Sequence, residues 1–174
     1  PAPAQPAVSP AAQRAFDEAR RALAAGRVEQ AERAFKALAQ AHPELGGPHA
    51  NLGLIYRRAG RLDDAIAALE TAVRLSPQQP VYLNQLGIAY RHKGEFTKAR
   101  DAYERAIALD AGYADAHLNL GILHDLYLGD GPRALELYDR YLALSGGDAA
   151  VAKWVVELKN RKPAPVTVSR KEKE

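Results

Sequence analysis

The chain contains no cysteine, which excludes disulfides, iron–sulfur clusters and cysteine-based zinc sites. Aromatic residues make up only 7% of its 174 positions, so few large rings are available to wrap a cofactor. No apolar run approaches the roughly 18 residues that a membrane-spanning helix needs. Strand signals are missing as well, since no run of alternating β-branched residues is bounded by turns. Methionine is absent even at the first position, as expected of a processed chain or a trimmed piece. Any targeting segment would then lie upstream.

An excess of one charge is lacking from the body of the chain. There are 24 Lys/Arg and 21 Asp/Glu, a net charge of +3. From Arg161 onward stand five basic residues and two acidic ones, which account for the whole excess. A nucleic-acid-binding body is expected to carry its own basic surplus, so no nucleic-acid partner is expected. The charged end reads as a solvated tail.

What the chain does have is an echo. Ala31, Ala65 and Ala99 are 34 residues apart, and Ala134 follows at 35. Four places later come Phe35, Leu69, Tyr103 and Tyr138. A fixed period of this size means stacked copies of one supersecondary unit. Gly26, Gly60 and Gly94 share the period and fall where helical patterns end, a position that favours glycine as a left-handed cap. His42-Pro43 and Ser76-Pro77 close the following helices, because proline disfavours helical geometry in the residue before it.

Each unit is therefore helix A, a tight turn, helix B and a short connection. The expected boundaries are 12–45, 46–79, 80–113 and 114–147 within a domain of residues 11–161. A Pro/Ala-rich linker (1–10) precedes it, and a disordered charged tail (162–174) follows. A last helix, 148–161, is expected to cap the stack. Asp148 can cap its N-terminus, and Val151, Trp154, Val155 and Leu158 form one apolar stripe.

These residues resemble the tetratricopeptide repeat, whose pattern places Leu-Gly and Tyr on helix A, then small, aromatic and proline positions on helix B. Unit two reads Leu52-Gly53, Tyr56, Gly60, Ala65, Ala72 and Pro77. Unit three reads Leu86-Gly87, Tyr90, Gly94, Ala99, Tyr103 and Ala106, with Ala111 where proline is usual. Unit four has Leu120-Gly121, Ala134 and Tyr138, with His124 in place of tyrosine. Unit one has Glu18-Ala19 instead of Leu-Gly but keeps Gly26, Ala31, Phe35 and Pro43. The resemblance implies an all-α fold, a right-handed superhelical stack of antiparallel helix pairs with four units and a capping helix. Mid-helix glycine costs roughly 1 kcal/mol relative to alanine, so Gly53, Gly87 and Gly121 point to helices too close to admit a Cβ. Unit four holds one extra residue between Gly121 and Ala134, which is expected in the A–B turn around Leu128–Pro132.

No catalytic constellation is present, and no cofactor or metal is expected. His117 and His124 are two helical turns apart, too far for the i, i+4 pairing of helix-borne zinc. His49 and His117 share a repeat position that is usually aromatic in the family, so packing accounts for both. Asp130-Gly131 lacks the rest of a calcium loop, and no Gly-rich phosphate loop or nucleophile elbow occurs.

The resemblance implies instead a concave groove lined by the A helices. Its expected residues are Phe16 and Arg20 in unit one, and Asn51, Leu54, Arg57 and Arg58 in unit two. Asn84, Ile88, Arg91 and His92 follow in unit three, then Leu118, Asn119, Ile122 and Asp125 in unit four. An apolar floor with a basic middle suits a protein segment bearing acidic and apolar residues. The Lys/Asn clamp of chaperone-binding relatives is not evident, because Phe16, Ala50, Asn84 and Leu118 hold its places. The expected function is a non-enzymatic adaptor. The arrangement resembles small bacterial repeat proteins whose Pro/Ala leader follows a signal or lipid-attachment site, which implies a periplasmic scaffold of the cell envelope. A cytoplasmic adaptor, a regulatory domain of a larger enzyme or sensor, and self-association through the groove are the alternatives.

Overall fold

Residues 7–161 are described by the structure, a computed structural model. They form helices α1 (Pro10–Ala24), α2 (Val28–Ala41), α3 (Gly46–Arg58), α4 (Leu62–Leu75) and α5 (Pro80–Lys93). Then come α6 (Phe96–Leu109), α7 (Ala114–Leu123), a π-helical turn (His124–Leu128), α8 (Gly131–Ser145) and α9 (Ala149–Asn160). No strand occurs among the described residues. The expected linker up to residue 6 and the tail from residue 162 lie outside them.

Local chemistry sets the helix ends. Ser9 Oγ accepts from the Ala12 N–H, and Pro10 occupies the first turn of α1, where its missing N–H costs nothing. Gly94 closes α5 with φ +85°, and the next amide, Glu95 N–H, donates back to the Tyr90 carbonyl at 2.9 Å. Asp148 starts α9 by accepting from the Ala150 and Val151 amides.

Helices pair in sequence order, α1 with α2 through α7 with α8, and each pair docks on the next, so the fold is an all-α helical-repeat solenoid. Within a pair, helix A comes so close to helix B that its central glycine leaves no room for a Cβ. A Cβ placed on Gly87 would lie 2.5 Å from Tyr103 Cε1, and one on Gly53 would lie 2.5 Å from Leu69 Cγ. At Gly121 the nearest atom is Tyr138 Cε1 at 2.7 Å. The facing side chains Phe35, Leu69, Tyr103 and Tyr138 are buried, as are Ala31, Ala65, Ala99 and Ala134. On α9, Val151, Val155 and Leu158 are buried against Tyr138 and Ala134, while Trp154 tilts over the Tyr138 ring at 5.9 Å.

The extra residue of unit four does not sit in the A–B turn. It is absorbed within helix A, which widens into the π turn His124–Leu128. The closing hydrogen bonds show where the chain grows. Arg61 N–H donates to Tyr56 O and Glu95 N–H to Tyr90 O, five residues back; Asp130 N–H reaches His124 O, six back. A π turn is the helical way to accommodate one added residue without breaking the helix. It leaves Leu126 and Tyr127 exposed, with the Tyr127 ring 4.8 Å from Phe96.

Gly87→Ala is expected to cost about 1–3 kcal/mol by overpacking against Tyr103. Gly94→Ala meets no atom within 4 Å. It is expected to lose only the backbone penalty of a left-handed L-residue, roughly 1–2 kcal/mol. Urea unfolding of the two variants checks this, and a Gly87→Ala protein as stable as the parent would contradict the packing account.

Candidate partner-binding groove

The A helices approach one another along the stack, α5 lying against both α3 and α7, whereas no comparable contact joins α4 to α6 or α6 to α8. Helices that converge lie on the inner side of a curved stack, so the A-helix face is the concave one. Phe16, Leu54, Ile88, Leu118 and Ile122 are half-buried and form its apolar floor. Phe16 is held edge-to-face against Phe35 at 5.7 Å and packs closely on Gly47. Beside it opens a cleft of about 170 Å³ lined by Val8, Ala12, Phe16, Gly46, Gly47 and Tyr82. Arg20, Arg58 and His92 are exposed along the groove.

At the middle of the groove the charges are less solvated. Arg57 and Arg91 are half-buried. Arg57 Nη2 donates to Gln85 Oε1 at 3.1 Å, but its Nε is buried with no partner, and so is an Nη of Arg91. Burial and then the neighbouring Arg58 and Arg91 cations push the Arg57 pKa below its ordinary value. Partial desolvation, reinforced by Arg91 and Arg57, likewise lowers that of His92, although the ring as a whole is exposed. The ion pairs of the described residues leave Arg57, Arg58 and Arg91 out altogether.

Sequence reasoning placed Tyr103 only in the packing, yet its phenol lies in the field of these cations. The ring is fully buried and the hydroxyl has no hydrogen-bond partner. Burial pushes its pKa up to about 12, against the opposing pull of Arg91 and Arg57. Gln85 was also missed, because nothing in its spacing separates it from a solvated helix position. The sequence signal for Tyr103 is the echo itself: Phe35 and Leu69 carry no hydroxyl there, whereas Tyr103 and Tyr138 do.

The asparagines and the groove aspartate are engaged within the stack. Asn84 is 2% exposed; its Nδ2 donates to the Tyr113 hydroxyl, and its Oδ1 accepts from Asn119 Nδ2 at 3.1 Å. Asn84 is therefore a strut between repeats, not a free amide facing a ligand. Asn51 Nδ2 donates to the Gly47 carbonyl one helical turn back. Asp125 accepts from the Tyr138 hydroxyl at 3.2 Å and from Arg161 at 2.8 Å, and its side chain is only 8% exposed. That carboxylate ties the π turn to α8 and to Arg161, just past the end of α9. His117 Nε2 lies 2.9 Å from the Ala111 carbonyl, and His124 is buried. Among the described residues no group of three or more ligating side chains could hold a metal ion. None of their helices is long and apolar enough to cross a membrane.

The tetratricopeptide repeat profile matches residues 48–111 in one form and residues 84–149 in another, which together span more than half of the chain. No curated protein matches the chain. Among solved structures, the chain is similar to MamA at 29% identity and a TM-score of 0.73, over 80% of this chain and 81% of that one. YrrB, a TPR protein with an unusual peptide-binding site, is similar at 22% identity and a TM-score of 0.70, over 84% and 75%. The first TPR of Spaghetti (RPAP3), bound to the HSP90 peptide SRMEEVD, gives 22% identity and 0.61 over 64% and 87%. At these identities the last two likenesses concern the fold alone.

Asp125→Ala is expected to destabilise the protein by about 1–3 kcal/mol, because it strands the buried Tyr138 hydroxyl. Arg161 is more than half exposed and contributes little to that loss. Thermal unfolding of Asp125→Ala beside Arg161→Ala checks the division, the first variant being clearly the less stable.

Proposed function

Because the chain belongs to the tetratricopeptide repeat family, we propose that it is a non-enzymatic scaffold that holds a segment of another protein in its concave groove. The observation that carries this reading is the pair of half-buried, unpaired arginines, Arg57 and Arg91, set over an apolar floor. Desolvated guanidinium groups without counter-charge favour a ligand that brings carboxylates. Leu54, Ile88 and Leu118 favour one that also brings apolar side chains. The peptide ligands of YrrB and of Spaghetti belong to those proteins, and they support the general mode of binding rather than a shared partner.

Binders selected from a random nonapeptide library, followed by fluorescence anisotropy, test the groove. The triple variant Arg57→Glu, Arg58→Glu, Arg91→Glu is expected to weaken the selected peptides on the order of a hundredfold. Its helical circular dichroism and thermal midpoint should remain close to the parent's. Unchanged affinity would remove the groove from the binding surface.

The Pro/Ala composition of the segment ahead of the first helix supports a place in the bacterial cell envelope. Fractionation of cells expressing the full-length gene is expected to recover the protein with the envelope or periplasm. Recovery in the cytosol would overturn this placement.

A further inference from the structure

Three departures from the repeat meet at one point near the start of the stack. Phe16 holds a position filled by Ala50, Asn84 and Leu118 in the later units. Tyr82 stands where unit two has Pro48 and unit four Ala116. Gly47 stands where units three and four carry Val81 and Asp115. A Cβ built on Gly47 would lie 3.1 Å from Phe16 Cε2 and 3.6 Å from the Tyr82 hydroxyl oxygen. The missing side chain thus leaves a cleft of about 170 Å³ open beside rings from units one and three.

The chemistry of the walls selects the occupant. Phe16, Tyr82, Leu38 and Leu45 supply apolar surface, and Glu44 is the one charged residue of the lining. Gln79 and the Tyr82 hydroxyl supply hydrogen-bond donors. Rings and donors without a cation suit proline, whose apolar face stacks on an aromatic while its chain offers carbonyls and few N–H groups. Val8 is itself part of the lining, so the chain ahead of α1 runs along the cleft. Ser9 fixes that course by capping α1 through the Ala12 amide. The six residues before Ala7 read Pro-Ala-Pro-Ala-Gln-Pro, without a charged side chain. We propose that this segment, residues 1–6, seats a proline in the cleft of its own molecule and covers the apolar end of the groove until a partner displaces it.

Reach and spacing agree with this occupant. Six extended residues span about 20 Å, well beyond the mouth of so small a cleft. Pro3 and Pro6 are three apart, so in a polyproline II chain, with three residues per turn, they share one face. Attachment through Ala7 keeps the segment at an effective concentration in the millimolar range, so weak contacts suffice to fill the site. A proline-rich chain also loses less freedom on docking than a flexible one. Filling the cleft needs no partner and stands apart from the scaffold reading; only the displacement rests on that reading.

Nuclear Overhauser contacts in the full chain test the seat. Ring protons of Pro3 or Pro6 are expected to contact the Phe16 and Tyr82 rings, and the contacts should persist on dilution. The double variant Pro3→Ala, Pro6→Ala should lose them with an unchanged thermal midpoint. The synthetic hexapeptide PAPAQP, followed through the Tyr82 ring resonances, should bind that variant severalfold more tightly than the parent, whose cleft is already filled. Gly47→Val gives unit two the side chain of unit three, and it should abolish both the contacts and hexapeptide binding. Tyr82→Leu is the second variant, should Gly47→Val misfold; placed on the double variant, it should weaken the hexapeptide severalfold. Absence of proline-to-ring contacts, or equal hexapeptide affinity in parent and double variant, overturns the proposal. So do contacts seen only between differently labelled molecules, which assign the segment to a second copy. A saturating groove-binding peptide should extinguish the contacts, and their persistence overturns the displacement. If no peptide binds the groove while the contacts are present, the scaffold reading fails and the seat remains.

Discussion

The close approach of helix A to helix B, at a glycine that leaves no room for a Cβ, is the constraint on which the other features depend. At Gly53, Gly87 and Gly121 the facing Leu69, Tyr103 and Tyr138 fill the space that a methyl group would need. Interiors packed at this density transmit geometry rather than absorb it. With the pair locked, each unit presents the same surface to the next, and the stack inherits its curvature from that repetition. The groove is a consequence. Convergence of the A helices brings Arg57 on α3 within reach of Gln85 on α5, and Asn84 on α5 within reach of Asn119 on α7.

The same contact couples core to groove. A tyrosine in the A/B interface is long enough to cross the helix pair, so its ring belongs to the core while its hydroxyl meets a groove residue. In unit four that residue is Asp125, and the pairing is internal. In unit three it is a cationic neighbourhood that offers no acceptor to the hydroxyl. Residues that look redundant in the repeat thus differ in what they leave unsatisfied. The imbalance is concentrated in the middle of the stack, where both ends of a bound segment have wall to lie against.

The period of 34 residues, the left-handed glycine caps and the absence of strand patterns were all readable, because they arise from local backbone chemistry and from helix spacing. The family profile and the structural likenesses agree with that reading. The place of the inserted residue is also present in the spacing, although the expected position is the A–B turn. Gly129 to Ala134 is the same five-residue step as Gly94 to Ala99, whereas Gly121 to Gly129 is one longer than Gly87 to Gly94. The addition therefore precedes the cap, inside helix A, as the π turn His124–Leu128 has it. The groove residues were less legible. Asn84 and Asp125 have the polarity expected of ligand contacts, but each is spent on neighbours 13 to 36 residues away in the chain.

By itself the sequence determined the unit, its number and its order, since glycine, proline and alanine act through φ angles and side-chain volume within one or two helical turns. Which polar groups remain free for a partner was decided only by tertiary structure. A hydrogen bond is satisfied by distance in space, and the residues that settle it here come from different repeats. Arg57, Arg91 and Asp125 hold one repeat position and look alike as charged groove candidates. Packing turned the last into a strut and left the first two with buried donors unpaired.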